Sequence, residues 1–130
     1  MLKHKLYQAA LPESPEAVVF VNGMIARDRV GFLWLWRNLH SIGRSTVQAP
    51  GCLQVKAGIC GPREVIMVSY WQSDRQLMEF FREAAHRQMV QFTQRHPESL
   101  CLYNETYQPG KSGKYSHEPQ GMAFVYGALP

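Results

Sequence analysis

The chain has 130 residues, 45% hydrophobic and 18% charged, which suits one folded domain whose core needs no disulfide or metal to hold it. Its formal charge is +4 and its pI about 9.1, but the basic residues are scattered, from Lys3 and Lys5 through Arg27, Arg29, Arg37, Arg44, Lys56 and Arg63, and form no stripe for nucleic acid. Membrane spans need roughly 18 apolar residues in a row, which the sequence lacks, and three cysteines without a C-x-x-C pair argue against a disulfide framework or zinc site and for a reducing cytoplasm.

The opening residues 1–16 have two lysines but no long apolar stretch after them, a poor signal peptide that reads as a leader to the fold. AVVFVNGMI (17–25) is rich in β-branched residues and predicts a strand. Asp28 can cap a following helix, in which Phe32, Leu35, Trp36, Leu39 and Ile42 recur at helical spacing and Gly43 falls near the end. Trp34 lies off that stripe, which predicts either exposure or cover from outside the monomer.

CLQVKAGIC (52–60) and EVIMVSYW (64–71) are joined by Gly61-Pro62, a hairpin signal. The second of these is apolar on both faces, as a central strand covered twice should be. Cys52, Cys60 and Cys101 sit in apolar stretches and read as small buried hydrophobes. Ser73 with Gln76 makes a capping box, and Asp74 adds negative charge at the positive end of the helix dipole. One helix is expected from there to His96-Pro97, with Leu77, Phe80, Phe81, Ala84, Ala85, Met89 and Phe92 on a broad apolar face.

LCLYNETY (100–107) predicts a strand in which Cys101, Tyr103, Glu105 and Tyr107 share one face. Residues 109–120 read as a polar, mobile loop, and 121–129 as a short last strand. The fold class is therefore α+β: a ferredoxin-like βαββαβ unit with an extra C-terminal strand, one domain over 1–130. Two helices cover one face of the sheet. The other face needs a cover too, and a second copy of the chain is the simplest one.

With that order in place, YWQSDRQLMEFFREAAHRQMVQF resembles the pattern tyrosine or glutamate-x-tryptophan-x-serine, then leucine, histidine and an aromatic, of the antibiotic-biosynthesis-monooxygenase-like group of dimeric α+β barrel proteins. VVFVNGM, YWQS, His86, YNETY and GMAFVYG are similar to one bacterial monooxygenase-like branch, over about Val18 to Gly127. The resemblance implies a homodimer with a pocket beside each sheet. Members of the wider group carry out cofactor-free oxidation of aromatic polyketides, haem degradation, haem-dependent chemistry or isomerisation, or have no known reaction, so the resemblance implies the fold more than the function. The branch commonly has histidine where this chain has Asn104, and an amide cannot replace that histidine as a base or strong metal ligand.

His86 lies off the centre of the helix's apolar stripe, near Glu79, Arg82 and Glu83 on a wheel of about 100° per residue. It reads either as a polar-face residue or, from the resemblance, as a pocket base or haem ligand. Tyr70 and Trp71 are core aromatics or a pocket wall for a flat ligand. Asn22 interrupts an apolar strand, either hydrogen-bonded at a bulge beside Gly23 or serving as a pocket donor. Glu105, flanked by Tyr103 and Tyr107, is a carboxylate for catalysis or for an interface ion pair.

No metal-ligand spacing, phosphate loop or nucleophile elbow is present. Three functions fit: a small monooxygenase-like enzyme acting on an apolar aromatic or polyene-like molecule, a haem-binding protein with His86 as ligand, or a non-catalytic homodimer that binds a ligand or partner. No cofactor other than haem is suggested, and neither nucleic acid nor a membrane is indicated as a partner.

Overall fold

The computed structural model describes residues 7–10, 16–110 and 112–128, with the backbone alone for 7, 9–10, 84–86 and 126–128. Its elements in chain order are β1 (Tyr7–Ala10), β2 (Val18–Ala26), α1 (Arg29–Gln48), β3 (Cys52–Gly61), β4 (Glu64–Trp71), α2 (Asp74–Phe81), α3 (Ala84–Arg95), β5 (Leu100–Tyr107), β6 (Ser112–Tyr115) and α4 (Gly121–Ala128). The main sheet is antiparallel in the order β3-β4-β2-β5. That is the ferredoxin-like arrangement the sequence predicts.

Register divides the sheet into two chemically different faces. Val18, Phe20, Asn22, Met24 and Ala26 of β2 lie buried on the helix side with Val65, Met67, Ser69 and Trp71 of β4. On the opposite side are Val19, Val21 and Ile25, with Ile66, Val68 and Tyr70 of β4 and Cys101, Tyr103, Glu105 and Tyr107 of β5, the four expected to share a face. Gly23 is on this second face because the Tyr103 ring lies directly over it, where any Cβ would collide with the ring.

Helix α1 begins as the sequence predicts: Asp28 accepts from the Gly31 amide at 2.9 Å. It runs past Gly43 to Gln48, and its inward residues are Gly31, Leu35, Ile42 and Thr46. Phe32 and Trp36, expected on the packed stripe, are exposed instead. Trp34, expected to lie exposed or under a partner, is covered within the chain by Phe92, stacked at 4.6 Å. The helix enters so close to the Ser99 carbonyl that a Cβ at position 31 would collide with it.

The single long helix expected after Ser73 is two helices. Ser73 caps α2 with its hydroxyl, accepting from the Gln76 amide at 3.2 Å. The chain then breaks at Glu83, whose backbone is extended (φ −71°, ψ 157°). Leu77 and Phe80 of α2 join Val18, Phe20 and Trp71 in one core cluster, whereas Met89 of α3 joins Met24, Leu35, Ile42 and Met67 in another. The break lets each half face its own cluster, and no glycine or proline in the sequence announces it.

Three other expectations change. Residues 121–129 were expected as a strand, but Gly121–Ala128 is helical, begun by Gly121 at φ +54° and holding Val125 fully buried. Short apolar runs satisfy both patterns, and burial decides between them. The segments read as leader and loop each contain a strand: β1 pairs with β6 in a small second sheet, Tyr7 opposite Tyr115. Cys60 and Cys101 are exposed, not buried, because each falls on the face away from the helices or at the sheet edge. Only Cys52 is partly covered, and burial pushes its thiol up to about 11.

Candidate functional site

A narrow cavity lies at the seam of the two core clusters, between the sheet and the helices. Its walls are Phe20, Ile42, Met67, Phe80 and Met89, with Asn22, Thr46 and Ser69 as the polar members. It leaves about 20 Å³ for the centres of water-sized molecules, room on the order of one water. Asn22 is placed here by β2 alternation, directly opposite Met67 of β4 and Asn104 of β5. The strand is in unbroken register through Asn22 and Gly23, so the bulge that could have used the amide is not there; the sheet's irregularities are in β3.

The three polar side chains differ in what they have left to offer. The Thr46 hydroxyl donates to the Ile42 carbonyl at 2.8 Å, a bond within its own helix. The Ser69 hydroxyl accepts from Trp71 Nε1 at 2.8 Å, which fixes the indole and leaves the serine its own proton to donate. Asn22 Oδ1 is buried and has no hydrogen-bond partner. Such an atom costs about 1–3 kcal/mol where it stands. It is the chemically unfinished group of the cavity, and a ligand with a hydroxyl or N–H to donate would complete it.

Trp71 is fully buried beside this cavity, tilted against Phe80 at 5.2 Å. His86 is in the first turn of α3, one turn before Met89, and its side chain lies outside the described residues. Among the described residues no group of three His, Cys, Asp or Glu side chains converges on a metal position.

The remaining candidates lie on the other face. Tyr70 points away from Trp71 and packs beneath α4, its hydroxyl beside Gly121. Burial raises its pKa, and Tyr115 raises it further. The Lys56 ammonium donates to Gln120 Oε1 at 2.8 Å on the same side, so the chain's own C-terminal segment covers part of the face that had seemed to need a partner. Tyr107 donates to Glu105 Oε2 at 2.7 Å, and that bond raises the tyrosine's pKa. Tyr103 covers Gly23. The structure therefore brings Asn22 and Trp71 together on one side and Tyr70, Tyr103, Glu105 and Tyr107 on the other.

Sequence reasoning missed Ser69, Thr46 and Met67 as cavity residues. For Ser69 the signal was present: a serine inside EVIMVSYW, two positions before a tryptophan, shares the tryptophan's face. Thr46 had none, because Gly43 suggested an earlier end to the helix.

Residues 17–118 match the family model of the monooxygenase af470-like proteins. Among curated proteins, none matches the chain. Its fold is similar to that of SO0527 from Shewanella oneidensis, with 20% identity, a TM-score of 0.61 and coverage of 79% of this chain and 97% of that one. A proposed antibiotic biosynthesis monooxygenase from Deinococcus radiodurans aligns at 16% identity and TM-score 0.59, over 79% of this chain and 99% of that one. SnoaB, a cofactor-independent oxygenase from Streptomyces nogalater, aligns at 8% identity and TM-score 0.54, over 74% and 95%. At these identities the likeness concerns the fold.

Proposed function

Given that the chain belongs to the monooxygenase af470-like family, we propose that it is a small oxygenase acting on a flat apolar molecule, aromatic or polyene-like, held between the sheet and the helices. The observation that carries this reading is the unpartnered Asn22 Oδ1 in an otherwise apolar cavity. A buried acceptor without a partner persists where it has a use. Here it would receive a substrate hydroxyl, with Ser69 as a neighbouring donor and Trp71 holding Ser69 in place. His86, on the helix that closes the cavity, is the proposed base.

The chemistry needs no added reductant if the substrate supplies the electrons. A CH2 group flanked by aromatic rings, deprotonated by a base, can react with O2 to give C=O and release water, which accounts for both oxygen atoms. The cavity as it stands admits about one water, so a substrate of that size requires α3 to swing out at the extended Glu83. A haem would need the same opening, with His86 as the residue to hold it. The tyrosine-bearing face, open where Tyr107 is 49% exposed, is the proposed homodimer contact. The three unpaired cysteines suit a reducing cytoplasm.

Oxygen uptake measured with an electrode, over a panel of reduced polycyclic phenols and without added cofactor, tests the reading. Turnover that is lost in Asn22→Ala and in His86→Ala, with the melting temperature kept, is the expected result. Tight binding of these compounds with no oxygen uptake would instead make the protein a non-catalytic binder, and a Soret band on adding haem that disappears in His86→Ala would favour haem. Light scattering at micromolar concentration checks the dimer.

A further inference from the structure

The outer surface at the start of α1 has no part in the cavity or in the tyrosine face. Val30, Phe32, Leu33 and Trp36 stand exposed there, at 45%, 37%, 60% and 37%. Leucine and valine at this exposure, three positions apart on one helix, form an outward apolar ridge. The aromatic pair beside it is ordered. Phe32 and Trp36 meet edge to face at 6.3 Å, and Trp36 Nε1 donates to the Pro62 carbonyl at 2.9 Å, so the indole is anchored at its polar edge while part of the residue stays in solvent.

Arginines surround this ridge. Arg27, Arg29 and Arg63 line a shallow, open depression together with Asp28, Phe32 and Leu33. They are distant in sequence but the fold gathers them: the Ala26 amide donates to the Arg63 carbonyl at 2.7 Å, joining the end of β2 to the β3–β4 turn. Arg37 follows Leu33 by one turn of α1. Two carboxylates, Asp28 and Glu98, stand among these four arginines and leave the patch with a net positive charge. Asp28 has one oxygen on the Gly31 amide and the other on the Ser99 hydroxyl at 2.8 Å. Glu98 reaches Arg27 only at 3.9 Å, with both side chains largely in solvent, a pair of little strength. Glu64 is on the opposite face of the sheet, across from Ile25.

We propose that this surface docks the protein on an anionic lipid bilayer, the apolar ridge entering the headgroup region and the arginines meeting phosphate and carboxylate groups. Exposed tryptophan, phenylalanine and leucine ringed by arginine is the composition that partitions to such an interface. A bilayer fits better than an acidic protein because the apolar side chains protrude, and a protruding ridge needs no complementary groove in a fluid interface. The contact is peripheral: among the described residues no helix is long and apolar enough to cross a membrane. The proposal is independent of the oxygenase reading, since its test uses no substrate.

Sedimentation of the full chain with vesicles decides it. Vesicles of equal parts phosphatidylcholine and phosphatidylserine should carry the protein down at low salt, and pure phosphatidylcholine vesicles should not. Arg29→Ala and Arg63→Ala should each weaken binding about fivefold, and Leu33→Glu should weaken it more than either. Val47→Glu, equally exposed on the same helix but outside the patch, should bind as the native chain does. Absence of binding to the anionic vesicles overturns the proposal. So does binding that survives Leu33→Glu, or that soluble polyglutamate displaces as readily as excess vesicles, for then only the protein's net charge or an acidic macromolecule is being read.

Discussion

Replacing Asn22 with leucine should make the protein more stable and inactive. Asn22 is 8% exposed, and its buried Oδ1 has no partner in a cavity whose apolar walls include Phe20, Ile42, Met67 and Met89. Leucine is close in size and removes the unmet acceptor, which is worth about 1–3 kcal/mol. It also suits a strand better than asparagine does, within a scale of about 1 kcal/mol. Against this stands a modest repacking cost, which the cavity reduces because it leaves space beside the residue. A net gain of about 2 kcal/mol, with a urea slope of about 2 kcal/mol per molar, raises the unfolding midpoint by about 1 M. Urea unfolding followed by tryptophan fluorescence measures this, and the slope should not change. A midpoint that falls by a similar amount would falsify the argument, because the amide would then be holding the fold together and would need no ligand to explain it. Stability gained with activity lost is the pattern of a residue retained for function.

Two glycines of α1 should respond in opposite directions to alanine. Gly43→Ala has open space around the new Cβ and should stabilise by about 0.5–1 kcal/mol, whereas Gly31→Ala drives a methyl into the Ser99 carbonyl and should destabilise by about 1–3 kcal/mol; thermal melts of the pair check both. Iodoacetamide at neutral pH should label the exposed Cys60 quickly and Cys52 slowly, as mass spectrometry of timed samples would reveal, with equal labelling of the two only after unfolding. The Gly31 amide, and secondly the Ser99 hydroxyl, hold the Asp28 carboxyl below its ordinary value. A depressed folded-state pKa contributes stability that is present above the unfolded value of about 3.9 and lost as pH falls through the folded one. Acid unfolding of Asp28→Asn should therefore be flatter below about pH 4 than that of the native chain.

Local rules made much of the fold legible. The Asp28 and Ser73 caps, the β3–β4 hairpin and the alternation of β2 all act within a few residues, and the structure follows them. What escaped depends on contacts between distant parts. The break at Glu83 exists because Phe80 and Met89 serve different core clusters, which no window of sequence contains. Residues 121–128 fit strand and helix patterns alike, and only packing against β3 and β4 resolves them. The candidate site was half legible: Asn22 stood out as polar in an apolar run, while Tyr70 and Trp71, adjacent in sequence, could not be assigned to one pocket once their strand sent them to opposite faces. Arginines 27, 29 and 63 looked scattered because their meeting place is made by the fold.

That opposition on β4 explains why EVIMVSYW is apolar throughout. Val65, Met67, Ser69 and Trp71 build the cavity side, and Ile66, Val68 and Tyr70 build the side proposed for the second copy. The two sides can therefore be perturbed one at a time. Tyr103 lies over Gly23, on the far side of β2 from the Asn22 amide. Tyr103→Leu should shorten the contact surface of the proposed dimer and shift its dissociation to higher protein concentration, while oxygen uptake per intact dimer stays as before. Light scattering across a dilution series gives the first quantity and an electrode the second. Uptake lost in a Tyr103→Leu protein that remains dimeric would move the reacting site to the tyrosine face, and Glu105 with its bonded Tyr107 would then be the pair to pursue.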